Sequence, residues 1–212
     1  MRKKSSWAIY PLLFVALMWA LHTLTKNFWT DPEFVKFLMY KSTIPVGFNQ
    51  ELWTLAVRVH ILLAVVAILA GPLGFVKKIR VQRPAIHRAV GKLYIGSVLL
   101  NTLPALYVAL YATGGWIATA GFFLLNGIWL YSTMLAYRTI RRGQVEAHRV
   151  WMIRSYAVTL ANNTLYVVNI ALTMLVSLDY VTAYVIAVWA CWIINLVVAE
   201  GYIRIRRRTQ SL

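Results

Sequence analysis

Acidic residues are scarce in this chain: six Asp and Glu stand against 22 Lys and Arg in 212 residues, a net charge of +16. Charge of either sign is thin as well. It makes up 13% of residues against 60% apolar, where a water-exposed surface needs about a quarter charged. That shortage excludes an ordinary soluble globule, and the apolar abundance excludes a disordered chain. The single cysteine excludes a disulfide scaffold, and without a Cys-x-x-Cys-His there is no attachment for c-type haem. Neither G-x-x-x-x-G-K-[ST], a strand-linked G-x-G-x-x-G nor His-Glu-x-x-His occurs, and no hydrolase triad is readable. The length suits about one domain, and a mean hydropathy of +0.64 makes the membrane its natural solvent.

Six apolar runs are long enough to cross about 30 Å of hydrocarbon, at 7–25, 52–76, 93–112, 116–137, 156–177 and 181–203. None alternates with the period of a strand, so helices satisfy the backbone and the fold class is an all-α polytopic bundle of six transmembrane helices in a single domain, 1–212. The first run follows Arg2-Lys3-Lys4, outlasts a secretory h-region and has no small-x-small cleavage site, which reads as a retained anchor.

The basic residues fall on alternate sides of these runs. Arg2, Lys3 and Lys4 at the start, Lys77 to Lys92 in the second loop, Arg138 to Arg154 in the fourth and Arg204 to Arg208 in the tail take every Lys and Arg except Lys26, Lys36, Lys41 and Arg58. The positive-inside rule then puts both termini in the cytoplasm of a bacterial inner membrane, with anionic lipid headgroups as partners of these loops. Nucleic acid is not an expected partner, because the charge sits beside span ends rather than on a base-reading surface. Trp7, Tyr94, Tyr137, Trp151 and Tyr202 are expected at the inner boundary, and Trp53, Tyr111, Trp116 and Tyr180 at the outer one. In the outer segment 26–51, Phe34, Phe37, Leu38 and Lys41 follow Asp31-Pro32 at helical spacing, consistent with a short interfacial helix or an ordinary ordered loop.

An offset of 61 residues aligns Lys77 with Arg138, Arg80 with Arg141, His87 with His148 and Arg88 with Arg149. The two halves have the same sense, so the alignment predicts a parallel repeat about an axis along the membrane normal. His87 and His148 would then sit at like depth on the inner side. His60 counts to about 12 Å below the outer surface at 1.5 Å per residue, and His22 lies near the outer end of the first span. Two imidazoles on facing helices can hold a b-type haem, so His87 with His148 and His22 with His60 are the candidate ligand pairs. Solvated or lipid-facing histidines are the alternative for the inner pair. Arg58 inside the second span must snorkel outward or find a partner, among which Tyr166, Asn169, Glu51, Asp179 and a haem propionate come into question. Glu200 and Arg204 have the spacing of a local helix pair. The fifth span carries Thr159, Asn162, Asn163, Thr164, Tyr166 and Asn169, which suits interhelical hydrogen bonds or the lining of a pocket, with Asn126 and Asn195 as neighbours.

Arg58-x-His60, GPLGF at 71–75, His87-Arg-x-x-Gly91-x-x-Tyr94, Gly114-Gly115, Gly121-Phe122, Ala136-Tyr-Arg and His148-Arg-x-Trp-Met-x-Arg-Ser-Tyr156 together resemble a bacterial family of predicted membrane proteins, domain of unknown function two-three-zero-six. The resemblance runs from about Arg58 to Tyr166. It implies a helical fold and a cytoplasmic-membrane address without a known reaction. Relatives tend to carry an Arg near the position of Tyr166, which this chain lacks. More loosely, the histidine placement is similar to that of two-haem membrane cytochromes and ferric-reductase-type domains. The expectation is a haem-binding transmembrane electron-transfer protein. The alternatives are an accessory or assembly subunit of a membrane complex, with a membrane protein partner or a second copy, and a small transporter using the fifth span.

Overall fold

The computed structural model describes residues 9–41 and 47–209, and the expectations that fall on Arg2, Lys3, Lys4, Trp7 and the segment 42–46 lie outside the described residues. Within them every regular element is helical: α1 (Ile9–Thr25), continued by a π-helical turn (Lys26–Thr30), α2 (Val35–Leu38), α3 (Gln50–Phe75), α4 (Lys77–Gln82), α5 (Pro84–Leu110), α6 (Gly115–Arg141), α7 (Val145–Thr159), α8 (Ala161–Leu175) and α9 (Tyr180–Arg208). Local chemistry sets several of these limits. Asn49 Oδ1 accepts from Leu52 N at 2.9 Å to start α3, and Asp179 accepts from Val181 N and Thr182 N to start α9. Pro84 opens α5, where a missing N–H costs nothing.

Five helices, counting α1 with its π-helical turn, are long and apolar enough to cross a membrane, and α7 with α8 forms a sixth bent by 42°. At most 33% of each single span's apolar window is buried inside the protein, so the rest of its apolar surface calls for lipid. The chain is a multi-pass membrane protein. The third and fifth spans begin earlier than hydropathy suggests, at Pro84 and Val145, because each helix extends through its basic loop and carries His87 and His148 in its first turn or two.

Lipid gives no hydrophobic drive for one helix to leave it for another, so close packing decides association. The buried faces are accordingly small: Ala16 and Ala20 on α1, Ala67, Ala70 and Gly71 on α3, Ala105 and Ala109 on α5, Ala118 on α6, and Ala183, Ala187 and Cys191 along one stripe of α9. Gly71 shows how close the approach is: a Cβ there would stand 2.1 Å from the ring of Tyr156, whose hydroxyl donates to Ile68 O at 3.0 Å. Two aromatics expected at the membrane boundaries are core residues instead. Tyr94 and Trp53 are each 1% exposed, whereas Trp116 is 79% exposed and Tyr202 57%.

Two features of the fold fall at the 61-residue offset, although α3 and α6 start 65 positions apart. α5 and α7 start 61 positions apart, α3 packs against α5 and α6 against α7, and Tyr94 meets Ser155, its own counterpart at that offset, across the bundle at 2.7 Å. The second half departs from the first at Leu160. Asn195 of α9 donates from Nδ2 to Ala157 O at 2.9 Å, and Thr159 bonds back to Ser155 O at 3.0 Å. Side chains inserted into the helical ladder in this way are a recognised cause of kinks.

Candidate functional site

The basic end of the bundle gathers the first turns of α5 and α7, the helix α4 and the last turns of α9. His148 Nδ1 lies 2.8 Å from Ala136 O. A carbonyl only accepts, so Nδ1 carries the proton and Nε2 keeps its lone pair. His87 lies within electrostatic reach of His148, Arg80 and Arg88, and its Nδ1 is buried without a hydrogen-bond partner. The two inner histidines influence one another electrostatically, and no hydrogen bond or ring contact joins them. Around it, Glu146 pairs with Arg149 and, at 3.3 Å, with Arg206. Burial, followed by repulsion from Arg149 and Arg206, presses Arg80 below the ordinary guanidinium range, with Glu146 acting in the opposite sense. Deeper in, Arg154 clamps Glu200 through Nε at 2.5 Å and Nη2 at 3.2 Å. That clamp between α7 and α9 replaces the local Glu200–Arg204 pair expected from spacing.

Above the basic end lies a closed set of hydroxyls. Tyr94 OH shares hydrogen bonds with Ser155 Oγ and with Thr159 Oγ1 at 2.8 Å, Thr133 Oγ1 with Ser155 Oγ at 2.6 Å, and Trp129 Nε1 donates to Thr159 at 3.0 Å. These bonds join α5, α6 and α7. Part of the polarity of the fifth span is spent the same way, as Thr164 Oγ1 donates to Asn195 Oδ1 at 2.7 Å.

The far end separates the other two histidines. His60 Nδ1 pairs with Asn101 Oδ1 at 3.0 Å, between α3 and α5. His22 instead packs beside Trp19, with ring centroids 5.4 Å apart, and beside Tyr166 at 6.2 Å. Neither a hydrogen bond nor a ring contact joins the two. Arg58 reaches out of its span to the loop before α2, donating from Nη2 to Pro32 O at 3.0 Å and lying 3.5 Å from Glu33 Oε1. Its expected partners Tyr166, Asn169, Glu51 and Asp179 are not the ones it takes. Glu33 escaped the sequence reading because linear depth along α3 does not register a loop that folds back over the span. Among the described residues no group of three or more His, Cys, Asp or Glu side chains could hold a metal ion.

Residues 57–203 match the family described as Predicted membrane protein (DUF2306). The chain belongs to this family. The match takes in Arg58, His60, His87 and His148, leaves His22 outside, and extends past Tyr166 through most of α9. No curated protein and no solved structure matches this DUF2306 member. At Tyr166, where the resemblance leads one to expect an Arg, the DUF2306 chain receives a cation from elsewhere: Lys26, in the turn after α1, donates from Nζ to Tyr166 OH at 2.6 Å.

Proposed function

We propose that this membrane protein holds a b-type haem between His87 and His148 and passes electrons through it. The observation that carries the reading is the fixed tautomer of His148, whose Nδ1–H is committed to Ala136 O and whose Nε2 is thereby presented as a ligand. Metal-binding histidines take this form, with a carbonyl or carboxylate orienting the ring through its other nitrogen. His87, within electrostatic reach and with an orphaned buried nitrogen, supplies the second imidazole. Bound there, haem would supply one-electron chemistry. The chain's own part is to orient and to neutralise. Ala136 holds the His148 ring, while Arg80, Arg88 and Arg149 provide the positive charge that suits propionate carboxylates. His60 fits as a lone far-end candidate, its Nδ1 already engaged by Asn101. His22 and Arg58 are bound up with the aromatic cluster and the Glu33 loop and take no part.

The test is a dithionite-reduced minus oxidised visible spectrum of protein purified in detergent from haem-replete cells. A sharp α band that disappears in His87→Ala and in His148→Ala, and persists in His22→Ala, is the expected result. A colourless, folded preparation would overturn the reading.

A further inference from the structure

At the start of α3, on the side of that helix turned away from Trp53, lies an open concavity of about 500 Å³. Its size is in the range of small-molecule sites. Gln50, Glu51, Thr54, Leu55 and Arg58 line it from α3, and Glu33 closes it from the loop before α2. Carboxylates are scarce in this chain, and five of the six are already engaged. Asp31 accepts from the backbone of Val35 and Lys36, Glu33 pairs with Arg58, Glu146 with Arg149 and Arg206, Asp179 caps α9, and Arg154 clamps Glu200. Glu51 alone, among the described residues, takes neither an ion pair nor a side-chain hydrogen bond, and it stands in this lining. Thr54, three residues on, is 8% exposed, and its hydroxyl has no hydrogen-bond partner among the described residues. A buried hydroxyl left unpaired is an exception in folded proteins. Unlike the hydroxyl of Thr113, that of Thr54 is not sealed inside the protein, so an occupant of the concavity can reach it. Arg58 spends Nη2 on Pro32 O and Glu33 and keeps Nη1 unpaired.

We propose that this concavity holds the headgroup of a phosphatidylethanolamine lipid, its ammonium on Glu51 and Thr54 and its phosphate on Arg58. A primary ammonium has three N–H groups to give, and the Glu51 carboxylate, the Thr54 hydroxyl and the Gln50 amide oxygen are free to accept them. The guanidinium suits a phosphate at the other end of the same headgroup. A choline headgroup has no N–H to offer, and the described lining holds no aromatic face on which a quaternary ammonium could rest. Two carboxylates against one guanidinium disfavour a headgroup that is only negative. A lipid rather than a soluble zwitterion is the occupant because the polar wall continues into an apolar one: Leu55, Val59 and Leu62 are exposed at i, i+4 and i+7 along α3, a track for an acyl chain. The site is at the opposite end of the bundle from His87 and His148 and does not rest on the haem reading.

Native mass spectrometry of the full chain in detergent reads the bound lipid directly. Titration with phosphatidylethanolamine, phosphatidylcholine and phosphatidylglycerol of identical acyl chains should give one saturable site that prefers the first at least tenfold over either of the others. Glu51→Gln with Thr54→Val should abolish that preference, Thr54→Ser should retain it, and Lys92→Met, at the basic end, should leave it unchanged. Equal binding of the three lipids, a preference for either of the other two, or a preference that survives the paired substitution in a protein that remains monodisperse overturns the proposal. Glycerophosphoethanolamine, the same headgroup without acyl chains, should bind at least tenfold more weakly than the lipid. Binding of equal strength would give the site to a soluble zwitterion and overturn the assignment to lipid.

Discussion

Single residues set how close the helices come and how they respond to pH. A methyl group at Gly71 cannot coexist with Tyr156 in its present place, so Gly71→Ala should push the ring off Ile68 O and cost about 1–3 kcal/mol, the usual price of overpacking. Tyr156→Phe, which loses only the hydroxyl, should cost about 1 kcal/mol. Thermal unfolding in detergent should rank the two in that order, and a harmless Gly71→Ala would refute the close approach. Lys41 titrates unusually because burial lowers it from 10.5 to about 8. Above pH 8 the folded protein sheds a proton that the unfolded chain keeps up to about 10.5. Stability linked to this group therefore rises with pH between those values and is flat below 8. Lys41→Met should abolish that component, read as the difference between the unfolding midpoints of wild type and variant from pH 7 to 10. An amine-acylation profile for Lys41 with an apparent pKa near 10.4 would contradict the assignment.

Helices were the most legible level of this protein in its sequence, and the limits of that legibility have physical causes. Length and apolarity set out the spans, because crossing hydrocarbon is a one-dimensional requirement. The break at Leu160 was hidden because its agent, Asn195, lies 38 positions beyond Ala157 and acts from another helix. Asn195→Leu should relieve the inserted hydrogen bond and straighten α7 and α8 toward one another. Spin labels placed on either side of Leu160 would report it as a longer and narrower distance distribution, and an unchanged distribution would locate the cause of the bend elsewhere. Tyr94 was misread for a related reason. Position along a span gives depth but not azimuth, and this tyrosine turns toward Ser155 rather than toward headgroups. At the candidate site, His87 and His148 stand out in the sequence because the 61-residue offset aligns them. The carbonyl that fixes His148 belongs to Ala136, and a backbone acceptor leaves no trace in side-chain pattern. Glu200 was assigned to Arg204 because four-residue spacing is visible in a sequence and a partner 46 positions away is not.

At the scale of the whole molecule, one ionic clamp and one charge asymmetry carry checkable consequences. Arg154→Met leaves Glu200 without its bidentate partner, and Glu200→Met leaves the guanidinium between α7 and α9 unmatched. With both side chains partly exposed, each single variant should lose about 1 kcal/mol, and the double variant should lose less than the two together. Strict additivity in the cycle would mean that the clamp contributes nothing. The basic end also gives a test of orientation. Cys191 is buried, so a membrane-impermeant maleimide should ignore the native chain. If the basic end is cytoplasmic, Glu51→Cys should react on intact cells and Gln82→Cys only after lysis. The reverse pattern would turn the bundle over.

The hydrogen bond between Tyr94 and Ser155 joins two positions 61 apart in the chain, and it bears on symmetry. Were the two halves of the chain identical, residue 94 would confront its own copy at the dyad, and a residue on a dyad must be complementary to itself. Two phenols would collide there, and two serines would leave a gap that neither could span. A large hydroxyl side chain facing a small one fills the space once, which two identical residues could not do. An asymmetric pair of this kind is open to a single polypeptide, in which positions 94 and 155 are free to differ.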